Sequence, residues 1–378
     1  MNDVVVAGFA RSPFHPSRKG ALIDIRPDDL AAQVVIGLLE RTRVDPKLIE
    51  DIVLGCSYPE GEQGHNIARI VSFRAGIGEH VPGVTINRFC GSSMSAVHYA
   101  AGQIALGMGD AFICGGVESM TRVPQGGFNK IPNPFLLDTH AEVYTPMGIT
   151  AENVAQRYEV SRAAQEQLAV VSHAKAAAAR AEGRFADEIV PIQTPAGLVT
   201  EDGCIRPGTS AEALAALKPS FREDGSVTAG TSSPLTDGAS ATLICSAAFA
   251  REHGLVPLAK IRSAAVAPVP PELMGIGPIP ASRKALARAG IDVGALDVIE
   301  INEAFASQAI ACIRDLKLDE ARVNLDGGGL AIGHPLGATG ARLVGKAAAL
   351  LKRTGGRYAL ATQCIGGGQG IATVLEAV

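Results

Sequence analysis

The sequence predicts an α/β fold of two similar halves with a long segment inserted between them. Three observations carry that expectation. Short apolar runs alternate with helical patterns at both ends of the chain. The order strand, glycine-flanked elbow, small-residue helix, strand occurs twice. In the middle, residues 121–238, the alternation breaks.

Taken in order, Val4 to Ala7 reads as a first strand, Pro27 to Arg41 as a helix and Asp51 to Leu54 as a second strand. Val84 to Asn87 is a strand that runs into Cys90. A helix of small residues follows from Ser93 to Leu106, closed by Gly107 and Gly109, and then a strand from Ala111 to Cys114, ended by Gly115 and Gly116. The C-terminal part repeats this grammar. Asp297 to Ile301 and Val323 to Leu325 read as strands. A glycine loop then leads into a helix from Leu336 to Leu351, followed by the last two strands, Tyr358 to Thr362 and Gly370 to Leu375. The expected division is an N-terminal half over 1–120, rejoined by 239–262, an insertion over 121–238 and a C-terminal half over 263–378. The insertion opens with Pro124, Gly126, Gly127, Pro132 and Pro134 and carries one helix, Arg162 to Ala181. It is read as a loop domain covering the site; the alternative is an excursion that caps one face.

Composition narrows the function. With 34 basic and 38 acidic residues in 378 the net charge is −4, which gives no support for nucleic-acid binding. The 43 glycines and many alanines suit helices packed closely on sheets. Seven cysteines, at positions 56, 90, 114, 204, 245, 312 and 364, form no CxxC pair, so neither a zinc ribbon nor a disulfide framework is indicated. Reduced thiols in a cytoplasmic compartment fit best. No stretch suits a signal peptide or a bilayer span.

Four residues stand out. Cys90 lies where a strand meets a helix, so free helix N–H groups and the helix dipole favour its thiolate. Gly91, Ser92 and Ser93 leave room for an acyl group. Taken alone, a free cysteine is as easily a buried structural residue. His334 sits between Gly333 and Pro335 before a helix and suits a general base toward Cys90. Cys364 precedes three glycines, and its thiol suits proton transfer. The N–H groups near Gly366 and that of Cys90 suit an oxyanion hole. Asn302 ends a strand, where its amide suits a water or an oxyanion, although asparagine also ends strands for conformational reasons. Two chemically placed cysteines favour carbon–carbon bond chemistry over a cysteine protease. No GxGxxG opens a helix after the first strand and no P-loop is present.

At these residues the chain resembles the thiolases, over almost its whole length. The matching segments are Asn87 to Ser92 around Cys90, Asn302 to Ala306, Gly333 to Gly337 around His334, and Cys364 to Gly368. The resemblance implies a five-layered α-β-α-β-α core of two halves with an inserted loop domain that holds coenzyme A. It implies ping-pong cleavage of a 3-ketoacyl-CoA by coenzyme A through an acyl-Cys90 intermediate. His334 and a water on Asn302 would steady the enolate, and Cys364 would move protons. Position in the family pattern assigns Ser263 and Lys218 to coenzyme A, and Met147, Met274 and Phe305 to the pocket. No permanent cofactor and no metal are expected.

Some segments depart from the pattern of the biosynthetic acetoacetyl-CoA enzymes. Pro146 stands where they have a histidine, the insertion between Met120 and Met147 is shorter, and Thr228 to Ser233 has the form of degradative members. The glycine loop begins Asp326-Gly327-Gly328-Gly329, where the family more often has Asn-Gly-Gly-Ala. These features lean towards a degradative 3-ketoacyl-CoA thiolase. A homodimer is expected, with a tetramer as the alternative and a 3-hydroxyacyl-CoA dehydrogenase as a candidate partner. The alternatives are an acetoacetyl-CoA thiolase and, remotely, a non-catalytic acyl-CoA-binding subunit.

Overall fold

The computed structural model describes residues 3–378. Five strands make the N-terminal half-sheet, in the order Gly83–Ile86, Asp51–Gly55, Ala111–Ser119, Thr236–Ser246, Val4–Arg11. Asp51–Gly55 is parallel to both of its neighbours; Thr236–Ser246 is antiparallel to both of its own. Four strands make the C-terminal half-sheet, in the order Val298–Ile301, Tyr358–Ile365, Gln369–Glu376, Ala259–Pro268. Here the first pair is parallel and the other two are antiparallel. A single parallel bridge, Ile299 to Val323, occupies the place that Gly83–Ile86 holds in the first half. The halves join edge to edge where Val5 and Val6 pair with Lys260 and Ala259.

Strand periodicity sorts the apolar side chains into layers. Ile52 and Leu54 face outward onto helix Pro27–Thr42, packing with Leu30, Val34 and Leu38. Val53, between them, faces inward with Phe112 and Ile244 onto helix Ser92–Ala105. The same inner layer holds helix Leu336–Thr354, whose Leu343, Val344 and Ala347 also meet Val298, Ala359 and Ile371 of the second half. On the far side, helices Pro278–Ala289 and Ala306–Leu316 cover Ile299, Leu360 and Val374. The result is the expected α-β-α-β-α stack. Each large aliphatic side chain so buried stabilises it by about 1.5–3 kcal/mol. Small residues let the two central helices touch. A Cβ on Gly340 would stand 2.3 Å from the Met94 backbone nitrogen.

Several sequence expectations needed correction. The strand over Ala111 does not stop at Gly115 and Gly116 but runs to Ser119. These glycines serve close backbone approach, since a Cβ on Gly116 would lie 2.1 Å from the Gly337 carbonyl oxygen. Val323 to Leu325 forms only a bridge. There Asn324 turns left-handed (φ 46°), and its side-chain amide takes the place of a neighbouring strand, bonding both N–H and C=O of Ile301 at 3.0 Å. The final strand pair is longer than read, so Cys364 lies inside a strand, opposite Gly370. Helices Ile67–Arg74, Met147–Arg157, Pro278–Ala289 and Ala306–Leu316 and strand Ala259–Pro268 were not read from the sequence.

Between Ser119 and Thr236 the chain leaves the half-sheet, forms helices Met147–Arg157 and Arg162–Ala181, and returns. Buried ion pairs hold this segment to the core. Glu188 binds Arg11 at 2.8 Å and Lys346 at 2.8 Å, and Asp202 binds Arg11 at 2.7 Å. Lys346 also meets Asp326 at 2.7 Å. Among the described residues no helix is long and apolar enough to cross a membrane.

Candidate active site

The turn after strand Gly83–Ile86 is built by its own side chains. The Asn87 side-chain amide oxygen accepts from the Phe89 N–H at 2.8 Å, and the Arg88 N–H donates to the Ser92 hydroxyl at 2.9 Å. That hydroxyl donates on to the Phe89 carbonyl at 2.6 Å. Phe89 is thereby held in the left-handed region (φ 43°), a conformation that costs a bulky residue energy. Cys90 follows, and the helix proper begins at Ser92 with Gly91 as its cap. Cys90 thus precedes the first turn instead of opening it.

Its thiol meets the Gly366 backbone N–H, which lies just past the strand carrying Cys364. Burial pushes the Cys90 thiol up to about 12, the Gly366 contact opposes that rise, and the Glu118 carboxylate adds to it. The resting group is therefore a neutral thiol, where the helix dipole alone suggested a thiolate. Cys364 is fully enclosed, and burial and then the nearby Cys90 hold its thiol well above the ordinary range.

His334 occupies the corresponding turn of the second half. Gly333 (φ 109°) aims it, and its backbone N–H donates to the Thr236 hydroxyl at 3.0 Å. Nδ1 meets the Thr339 hydroxyl at 2.6 Å, and that hydroxyl donates to the Pro335 carbonyl at 3.2 Å. The hydroxyl proton being so used, the network assigns the ring proton to Nδ1 and leaves Nε2 bare as a base. Burial first, and then the Arg342 charge, push the imidazole down to about 3, so it rests neutral. The Asn302 amide nitrogen lies 3.3 Å from both ring nitrogens. Its amide oxygen is buried without a partner, and a Cβ on Gly329 would crowd it at 2.8 Å.

Met147, Met274 and Phe305 gather with Cys364, Ala151, Val227 and Ala304 in one apolar cluster beside these groups. Phe221 meets Phe305 edge-on with ring centroids 6.0 Å apart. Two expected contacts do not join. Ser263 lies on strand Ala259–Pro268, where its hydroxyl donates to the Ala285 carbonyl at 2.7 Å, so the hydroxyl is spent on an outer helix. Lys218 is exposed, in the segment just before Phe221, and is not part of the cluster.

Sequence reasoning also missed functional support. Glu118, fully buried at the end of strand Ala111–Ser119, accepts from Ser57 N at 2.8 Å, Gln63 Nε2 at 3.0 Å and Gly337 N at 2.9 Å. It ties the Cys90 side of the site to the helix that follows His334. Its signal was a carboxylate ending an otherwise apolar strand. Thr236, Thr339 and Gln363 carried no such signal. Among the described residues no group of three or more His, Cys, Asp or Glu side chains gathers that could hold a metal ion.

A family model described as the N-terminal domain of thiolase matches residues 4–248, and one for the C-terminal domain of thiolase matches residues 255–377. A 3-ketoacyl-CoA thiolase of Saccharophagus degradans is 46% identical over 386 residues, covering 100% of this chain and 98% of its own. One of Bacillus subtilis is 45% identical over 389 residues, and one of Shewanella sp. strain MR-7 is 48% identical over 389, each over 100% of both chains. With its stacked halves, its paired elbows and these matches along its whole length, the chain belongs to the thiolase family.

Proposed function

We propose that the protein is a 3-ketoacyl-CoA thiolase, an acyltransferase that cleaves a 3-ketoacyl-CoA with coenzyme A to acetyl-CoA and a shortened acyl-CoA. The observation that carries this reading is a pair of neighbouring thiols, Cys90 and Cys364, with a neutral histidine held by Thr339 beside Asn302, at the end of the strand next to that of Cys364. The full-length likeness to proteins named 3-ketoacyl-CoA thiolase supports it.

Nε2 of His334 takes the proton of Cys90 as its sulfur attacks the C3 carbonyl of the substrate. A neutral acid–base pair suits this, because charge then forms only on the way to the transition state. The C2–C3 bond breaks, leaving an acyl group on Cys90 and the enolate of acetyl-CoA. The imidazolium and the Asn302 side stabilise the enolate oxygen, and Cys364 supplies its proton. Incoming coenzyme A gives its thiol proton to the Cys364 thiolate. The coenzyme A sulfur takes the acyl group, and Cys90 recovers its proton from His334. The N–H groups of Cys90 and Gly366 would hold the oxyanion of the acyl-transfer steps. Met147, Met274 and Phe305 would line the acyl pocket, and Lys218 would meet the coenzyme A phosphates at its mouth.

The protein would act in fatty-acid β-oxidation in the cytoplasm as a homodimer, with a 3-hydroxyacyl-CoA dehydrogenase supplying its substrate. Thiolysis kinetics on 3-ketoacyl-CoA substrates of graded length test the reading. Efficiency that rises beyond acetoacetyl-CoA supports it. Activity confined to acetoacetyl-CoA replaces it with an acetoacetyl-CoA thiolase.

A further inference from the structure

The carbonyl oxygen of Cys90 is left over by the local fold. The elbow bonds run from Gly91 N to the Arg88 carbonyl and from Ser92 N to the Phe89 carbonyl. The first helical bond, from Ser95 N, goes to Gly91, so the Cys90 carbonyl is passed over. A side chain from the other half of the molecule takes it. The Gln363 amide nitrogen donates to the Cys90 carbonyl oxygen across 273 positions of sequence.

Gln363 is fully buried, on the strand that carries Cys364 and leads to Gly366. That one strand end therefore grips the nucleophile twice. Gly366 N–H meets the sulfur, and Gln363 meets the main chain of the same residue. Parallel register sets Ile301 beside Thr362, which brings the next two residues, Asn302 and Gln363, side by side. Both amides are buried, and both amide oxygens lack a partner. A buried amide with one half unsatisfied costs free energy, so its presence at this position needs a reason.

We propose that Gln363 is a positioning residue. Its amide clamps the Cys90–Gly91 peptide, fixes the direction of the thiol, and couples the nucleophile's elbow to the strand pair bearing Asn302 and Cys364. The inference rests on Cys90 being the nucleophile. The left-handed Phe89 makes the clamp necessary, because a strained elbow relaxes unless it is held on its far side. A misplacement of about 1 Å at a reacting atom lowers rate about 10²-fold.

Two variants test this. Gln363→Met keeps the volume and removes the donor. It is expected to slow acyl-enzyme formation and iodoacetamide alkylation of Cys90 by about tenfold or more, with the KM for coenzyme A and the melting temperature close to wild type. Gln363→Glu supplies the readout that a merely structural role would not move. Its protonated carboxyl donates to the Cys90 carbonyl and its ionised form repels it. The ratio of variant to wild-type alkylation rate should therefore rise as pH falls. Wild-type rates in the Met variant, or a flat ratio in the Glu variant, overturn the proposal. If the Met variant does not fold, the Glu ratio decides. Wild-type protein that forms no acyl-Cys90 would overturn the nucleophile assignment instead, while the alkylation ratio still reports on the clamp.

Discussion

The two elbows of this molecule stand at equivalent places in its two halves, and they are held in opposite ways. Each follows the edge of a half-sheet and precedes one of the two central helices. The Cys90 elbow is strained at Phe89, part exposed, and braced by side chains of its own turn and by the opposite half. The His334 elbow puts its left-handed step on a glycine, is buried, and is bonded by Thr236 and Thr339. Duplication thus supplies two elbows at equivalent places, and local divergence leaves a thiol on one and a neutral imidazole on the other, to which the proposed reaction assigns the acyl group and the base.

The largest expected effect comes from removing the proposed acyl carrier. Cys90→Ala should lower thiolysis by about 10⁴-fold or more and abolish acyl-enzyme formation, with the melting temperature retained. A variant that still turns over would erase the distinction between the elbows. His334→Ala should lower the rate by about 10²–10⁴-fold and slow Cys90 alkylation in parallel. An unchanged alkylation rate would mean that the histidine serves only the enolate.

The supports can be separated from the chemistry. Gly116→Ala places a methyl 2.1 Å from the Gly337 carbonyl, in backbone that cannot step aside cheaply. It should destabilise the fold by about 2–4 kcal/mol in urea unfolding. Gly333→Ala, with φ 109° and Thr236 at 2.8 Å, should disturb the histidine elbow, whereas Gly76→Ala, with nothing within 4 Å, meets only its own φ of 78°. Equal losses at both would mean that positive φ, and not the crowding of the site, sets the cost.

The smallest effect is on stability against pH. Burial pushes His334 from 6.5 down to about 3 and His173 from 6.5 down to about 4. Between those values and 6.5 the unfolded chain binds more protons than the folded one, so stability present above 6.5 falls as pH drops through that window. His173→Gln should flatten the fall in a melting-temperature series between pH 6.5 and 4. A parallel curve would contradict the shift at His173.

Much of this was legible in the sequence because glycine and repeated strand–helix grammar mark elbows directly. Cys90, His334, Asn302 and Cys364 stand out in the sequence that way as candidates, and so do the two halves. What escaped depended on contacts between distant segments. The roles of Glu118 and Gln363 appear only once strands from different halves converge. Asn324, whose amide replaces a strand, looked like part of one because its neighbours are apolar. Ser263 misled because its place in the family pattern says nothing about which face of a strand it occupies. Gly115 and Gly116 misled because glycine for close approach and glycine for a turn look alike in one sequence.

The most direct test of the division between the elbows is mass spectrometry of the protein mixed with a 3-ketoacyl-CoA and no free coenzyme A, followed by digestion. The account predicts an acyl adduct on the peptide containing Cys90, discharged on adding coenzyme A, and none on the peptide containing Cys364. An adduct on Cys364, or none on Cys90, would contradict it.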